Sequence, residues 1–112
     1  MQEIYSALAR DRDLMKAASS ELKHRGMEKA RAEAEYQKAK NKRVLEMKAE
    51  GHSASLIQML IKGDPEVNTK LFERDCAEVS YDSARDALQV YKLDARLLEA
   101  QISREWNQNN PM

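Results

Sequence analysis

Only one stretch of this chain is equipped to stop a helix. The sequence holds three Gly and two Pro in 112 residues, and Gly51, Gly63 and Pro65 fall together in GHSASLIQMLIKGDPE, residues 51–66. Glycine weakens a helix interior and proline breaks it. The flanking runs contain a single breaker, Gly26, before the final Pro111. They are rich in Ala, Glu, Lys, Arg, Leu and Met, the strong helix formers. Aromatic residues make up 5% of the chain, and β-branched residues are few, which argues against a sheet. The sequence therefore predicts an all-α fold in which two long helices meet at one corner.

The corner has its own internal order. Gly51 suits the left-handed residue that closes a helix. Ser53 or Ser55 can cap a new helix, and Ser55 with Gln58 three residues on forms a capping box. Leu56, Ile57, Met59, Leu60 and Ile61 give this short helix the densest apolar content of the chain. Gly63 offers the next stop. Asp64, Pro65 and Glu66 then read as N-cap, proline at the first helical position and an acid in the first turn. These signals predict helices over 2–50, 54–62 and 65–106 within one helical-hairpin domain of residues 1–106, followed by a disordered tail at 107–112.

In the first helix, Ile4, Leu8, Met15, Ala18 and Leu22 follow the spacing of a buried stripe, with Asp11 its polar exception. Strong helix formers on both sides of Gly26 predict that the helix runs through it. In the second, Ala77, Tyr81, Ala84, Leu88, Tyr91, Ala95, Leu98 and Ile102 are spaced 4-3-4-3-4-3-4, a heptad seam. Val79, Val90, Leu93 and Leu97 widen that apolar face beyond what one neighbouring helix covers. The expected architecture is a long, antiparallel, coiled-coil-like helical hairpin with the short apolar helix at its turn. The eight seam residues then suit an oligomer, most simply a dimer forming a four-helix bundle.

Formal net charge is zero over the chain. Residues 1–50 carry 12 Lys/Arg and 9 Asp/Glu, a net +3, against 7 and 10, a net −3, in residues 51–112. Opposite fields of this kind favour folding one half onto the other. They do not give the basic excess typical of nucleic-acid binders. The basic cluster Lys38, Lys40, Lys42, Arg43 and Lys48 is the best candidate for such contact, but its members spread around the helix and read first as a solvated surface. A lone cysteine, Cys76, excludes an internal disulfide. No run approaches the roughly 20 apolar residues of a membrane span. The expectation is a cytoplasmic protein with no membrane association.

Catalytic chemistry finds no foothold. His24 and His52 stand far apart, without Cys or acidic neighbours at metal-ligand spacing. His24 reads as a solvated helix residue and His52 as a neighbour of the first helix's end. Cys76, next to the seam, reads as a small hydrophobe. Glu78, Asp82 and Asp86 form a same-sign row that suits a solvated face. No phosphate loop or nucleophile elbow is present. Neither an enzyme nor a cofactor or metal is expected. Leu56, Met59 and Leu60 are the candidate partner-binding residues, with Met59 set off from the Leu56, Ile57, Leu60 and Ile61 face.

The sequences RAEAEYQKAKNKR, EGHSASLIQMLIKGDPEV and LDARLLEAQISREW, between about residues 28 and 106, resemble small uncharacterised α-helical proteins of tailed phages and prophages of Gram-positive bacteria. The resemblance implies expression in a bacterial host cell. It further implies a role as an accessory to phage replication or recombination, or as an inhibitor of a host defence system. Together these readings lead to a non-enzymatic helical interaction protein that binds a protein partner. The alternatives are a nucleic-acid-associated accessory protein and a purely structural oligomer.

Overall fold

The computed structural model of the protein describes residues 2–109. It is helical, with three helices, α1 (Gln2–Ala49), α2 (Ala54–Ile61) and α3 (Pro65–Asn109), and no strand among the described residues. The corner forms where the breakers lie. Asn107, Gln108 and Asn109 continue α3, correcting the expected helix end at 106; residues 110–112 of the expected tail lie outside the described residues.

Each corner junction has an identifiable cause. Gly51 takes φ 89, the left-handed region. Its N–H reaches the carbonyl of Lys48 at 3.0 Å while the N–H of His52 reaches that of Met47 at 3.2 Å, the two hydrogen bonds of a Schellman cap. Ser53, not Ser55, caps α2, its Oγ accepting from the N–H of Leu56 at 3.3 Å. Ser55 lies inside the helix, so the expected Ser55–Gln58 box does not form. Asp64 caps α3 as predicted. Its Oδ2 accepts from the N–H of Val67 and its carbonyl from that of Asn68, at 3.0 and 2.9 Å.

The chain divides into two compact units, Arg25–Tyr81 and the pairing of Met1–His24 with Asp82–Met112. In the Arg25–Tyr81 unit, Met47, Ile57, Ile61 and Val67 form a buried cluster with Tyr36 and Val44 packed against it. There α1 and α3 run antiparallel, because contacts that advance along α1 retreat along α3. Arg25 Nη1 donates to the Ser80 carbonyl at 3.1 Å, Arg74 pairs with Glu33 at 3.5 Å, and Arg43 Nε donates to Asp64 at 3.0 Å. α1 passes through Gly26 without a break. A Cβ there would stand 3.4 Å from the Tyr81 ring, at ordinary van der Waals contact. In the other unit Leu8, Ala84, Leu88 and Ala95 are buried, together with the carboxylate of Asp11.

The seam of α3 is the face covered within a single chain. Ala84, Leu88 and Ala95 are buried, and Ala77, Tyr81, Tyr91, Leu98 and Ile102 half-buried. The same spacing of covered positions runs back through Arg74, Lys70 and Val67. On α1 it runs forward from Leu22 through Arg25, Lys29, Ala32, Tyr36 and Ala39 to Arg43. Long cationic side chains hold these places because their stems lie along apolar surface while their heads reach out. The Arg74 guanidinium sits 4.7 Å from the Tyr36 ring centroid and the Lys29 ammonium 4.8 Å from that of Tyr81, both within cation–π range.

Candidate functional site

α2 divides its apolar residues between two roles. Ile57 and Ile61, four apart, are buried at 4% and 8% exposure in the Arg25–Tyr81 core. Met59 is 72% exposed, as its offset from the Leu56, Ile57, Leu60 and Ile61 face predicts. Leu56 and Leu60, the other two candidate partner-binding residues, are 40% and 41% exposed although they share a face with Ile57 and Ile61. The physical reason is brevity: an eight-residue helix lying on one core turns only a narrow edge inward. Leu56, Met59 and Leu60 therefore come together as apolar surface facing water.

α3 carries a second apolar stripe, to which the Val79, Val90, Leu93 and Leu97 expected to widen the seam belong. Phe72, Val79, Val90, Leu93 and Leu97 are each more than half exposed, and Cys76 is exposed as well. Residues 72, 76 and 79 in one unit, and 90, 93, 97 and 100 in the other, repeat the alternating four-three step, displaced to the far side of the helix from the seam. The corresponding outward positions of α1 are mostly polar: Arg10, Asp13, Ser20, His24, Arg31 and Lys38 are all exposed. Exposed apolar residues scattered singly need no explanation, but a periodic row does.

The basic cluster is not one surface. Arg43 is engaged inside the molecule, with Glu46 and Asp64 at 3.0 Å and Glu50 at 3.5 Å. The hydrogen bond to Glu46 is the largest of the contacts raising its pKa. Lys40 is half-buried with its ammonium 5.9 Å from the Tyr36 ring. Lys38 and Lys42, four apart, share one exposed face of α1, with Lys48 exposed further along the same outward side. The five cations gathered in sequence are thus divided between this solvated side and the contacts of Lys40 and Arg43.

The titratable residues are equally scattered. His52 Nε2 stands 3.3 Å from Glu50 beside the α1 cap, while His24 is exposed. In the row Glu78, Asp82 and Asp86, Asp82 has Arg85 at 3.5 Å, and Glu78 and Asp86 are exposed. Among the described residues, no three His, Cys, Asp or Glu side chains gather as a metal ion would require, and no helix is long and apolar enough to cross a membrane.

One pair escaped the sequence reading. Asp11 is 4% exposed and its Oδ2 is buried without a hydrogen-bond partner. Side-chain interaction with Asp94, then burial, then the Asp94 charge push the Asp11 pKa up, against a smaller opposing pull from Arg10. Asp11 was visible as the polar member of the α1 stripe; its partner was not, because only the pairing of α1 with α3 selects Asp94. Comparison with protein-family models, curated proteins and solved structures finds no match for this chain.

Proposed function

We propose that this protein is a non-enzymatic helical interaction protein that binds a protein partner through the exposed apolar face of α2. The observation that carries the reading is the division of α2. Ile57 and Ile61 anchor it in a core, while Leu56, Met59 and Leu60, 40%, 72% and 41% exposed, stand outward on the rigid helix so held. A partner offering an apolar groove or helix face would bury these three without reordering the corner. Preorganisation of this kind lowers the entropic cost of association. The methionine adds a flexible, polarisable contact suited to a partner surface of imperfect fit. The resemblance in sequence supports a role in a bacterial cell, as an accessory to phage replication or recombination or as an inhibitor of a host defence system.

The test is affinity capture from a Gram-positive host lysate by the wild-type chain, by Met59→Asp with Leu60→Asp, and by Lys38→Glu with Lys42→Glu. Circular dichroism establishes that each variant remains helical. Capture of one protein, lost in the first variant and kept in the second, is the expected result. Capture that survives the α2 change and fails with the lysine change would replace this reading with binding through the basic residues of α1.

A further inference from the structure

We infer that the outward stripe of α3 between Asp86 and Arg104 is a self-complementary surface on which a second copy of this chain docks antiparallel. The stripe is Asp86, Val90, Leu93, Leu97, Ala100 and Arg104, all exposed, stepping 4-3-4-3-4 along the helix. That is the spacing at which one helix face meets another along its length. The face opposite already pairs with α1, as the burial of Ala84, Leu88 and Ala95 shows, so the stripe has no partner in its own chain.

The order of residues within the stripe names the occupant. It begins with an acid and ends with a base, with apolar residues between. A two-fold axis near Ala95 sets Asp86 against Arg104 of the other copy, Val90 against Ala100, and Leu93 against Leu97. Each pair sums to the same centre, and each joins the two alternate positions of the repeat, as antiparallel helix pairing requires. The charged pair therefore occurs twice, once at each end of the apolar segment, and closes it from water. A parallel pair in the same register would instead place acid on acid and base on base. The arrangement is isologous and closed, so it stops at two copies. Asp94 and Arg96 flank the stripe on opposite sides. Asp94 interacts with Asp11 of its own chain, and Arg96 faces its counterpart near the axis at the solvated rim, where repulsion is weak and screened. With four apolar residues from each copy the contact is small, at the weak and transient end of the interface range.

This surface shares no residue with the α2 surface proposed to bind a partner, and its test is separate. Sedimentation velocity over a concentration series should show the wild-type chain passing from monomer to dimer. D86R should move the monomer–dimer transition to higher concentration, as should R104D, with helicity unchanged because both side chains are exposed. Mixing the two variants should restore the dimer, since each then meets its opposite. The double variant D86R/R104D should recover it alone. A wild-type chain that stays monomeric throughout, or a dimer indifferent to D86R, would overturn the antiparallel assignment. Loss of partner capture in the variant carrying Met59→Asp with Leu60→Asp bears only on the α2 reading.

Discussion

The two compact units spend their hydrophobic residues differently. In the Arg25–Tyr81 unit four bulky apolar residues close on one another, although others, Met27, Leu45, Phe72 and Val79 among them, face water. Met47, Ile57, Ile61 and Val67 are all at least nine-tenths buried, and capped helix ends surround them. In the other unit, Leu8 and Leu88 are the only bulky apolar residues so covered among those described. Ala84 and Ala95 fill the rest of its buried stripe, while Val90, Leu93 and Leu97 face water. Alanine allows two helices close approach but removes little area from water. A third helix crossing the pair is what gives the first unit an interior. Two helices alone make a seam, and the second unit has only that. The difference lies in what is covered: the alanine-lined unit has the smaller interior, while both units leave large apolar residues in water.

The largest effect that tests this contrast is the truncation of a buried side chain in each unit. Met47→Ala should destabilise the chain by roughly 2–4 kcal/mol, because the cavity opens inside a closed cluster that relaxes only partly. Leu88→Ala, on a seam beside alanines and solvent, should cost nearer 1–2 kcal/mol, because the gap can collapse or fill with water. Urea titrations of the two variants measure the difference. Equal losses would mean that the two units are packed alike and that the corner confers no special interior.

Next in size come the glycines that the corner and the helix pair use differently. Gly51 holds a left-handed backbone at φ 89, so Gly51→Ala should cost about 1–2 kcal/mol despite open space around it. Gly26 has an ordinary helical backbone and its added Cβ would meet the Tyr81 ring at van der Waals distance, 3.4 Å. Gly26→Ala should therefore stabilise, by about 0.5–1 kcal/mol, through the helix propensity of alanine. Thermal unfolding of the two variants should move in opposite directions. Destabilisation by Gly26→Ala would show that the Tyr81 ring cannot yield even slightly and that its contact there is structurally critical.

These results also explain what the sequence could reveal. The corner was legible because glycine, proline and N-cap signals act within a few residues of themselves. Gly51 and Asp64 perform as local physics requires, and only the choice between Ser53 and Ser55 was left to packing. The seam from Ala77 to Ile102 was legible because its members are apolar. Its continuation through Lys70 and Arg74, and along α1 through Arg25, Lys29 and Arg43, was hidden by polarity. Such residues reveal their place only when a facing Tyr81, Tyr36 or Asp64 is known. The candidate site was half legible. The exposure of Met59 followed from its offset, whereas that of Leu56 and Leu60 depends on how little surface a two-turn helix can bury. The outward stripe lay in view as Val79, Val90, Leu93 and Leu97, yet one apolar face and two cannot be told apart until the position of α1 is fixed.

The smallest effect, and the one that reports on the alanine-lined unit alone, concerns Asp11. Its pKa is raised in the folded state by Asp94 and by burial, so between its ordinary value and the folded one the native chain holds a proton that the unfolded chain has released. Stability attributable to this group therefore rises as pH falls from neutrality through the folded pKa and levels off at the unfolded value. Other carboxylates that lose ion pairs in acid act in the opposite direction, so the contribution is isolated by comparison with Asp11→Asn. That variant keeps the shape and a donor toward Asp94 but carries no charge to bury. It should melt at a higher temperature than the wild type at neutral pH, and the gap should narrow on mild acidification as Asp11 takes up its proton. Melting curves for both chains across that range decide the matter. A constant gap would mean that Asp11 is charged and accommodated in the fold, with the carboxyl of Asp94 held away from it. A gap that closes would identify the buried carboxyl as a site where the two-helix unit, lacking a third helix, carries a polar group in its seam and is weakened at neutral pH.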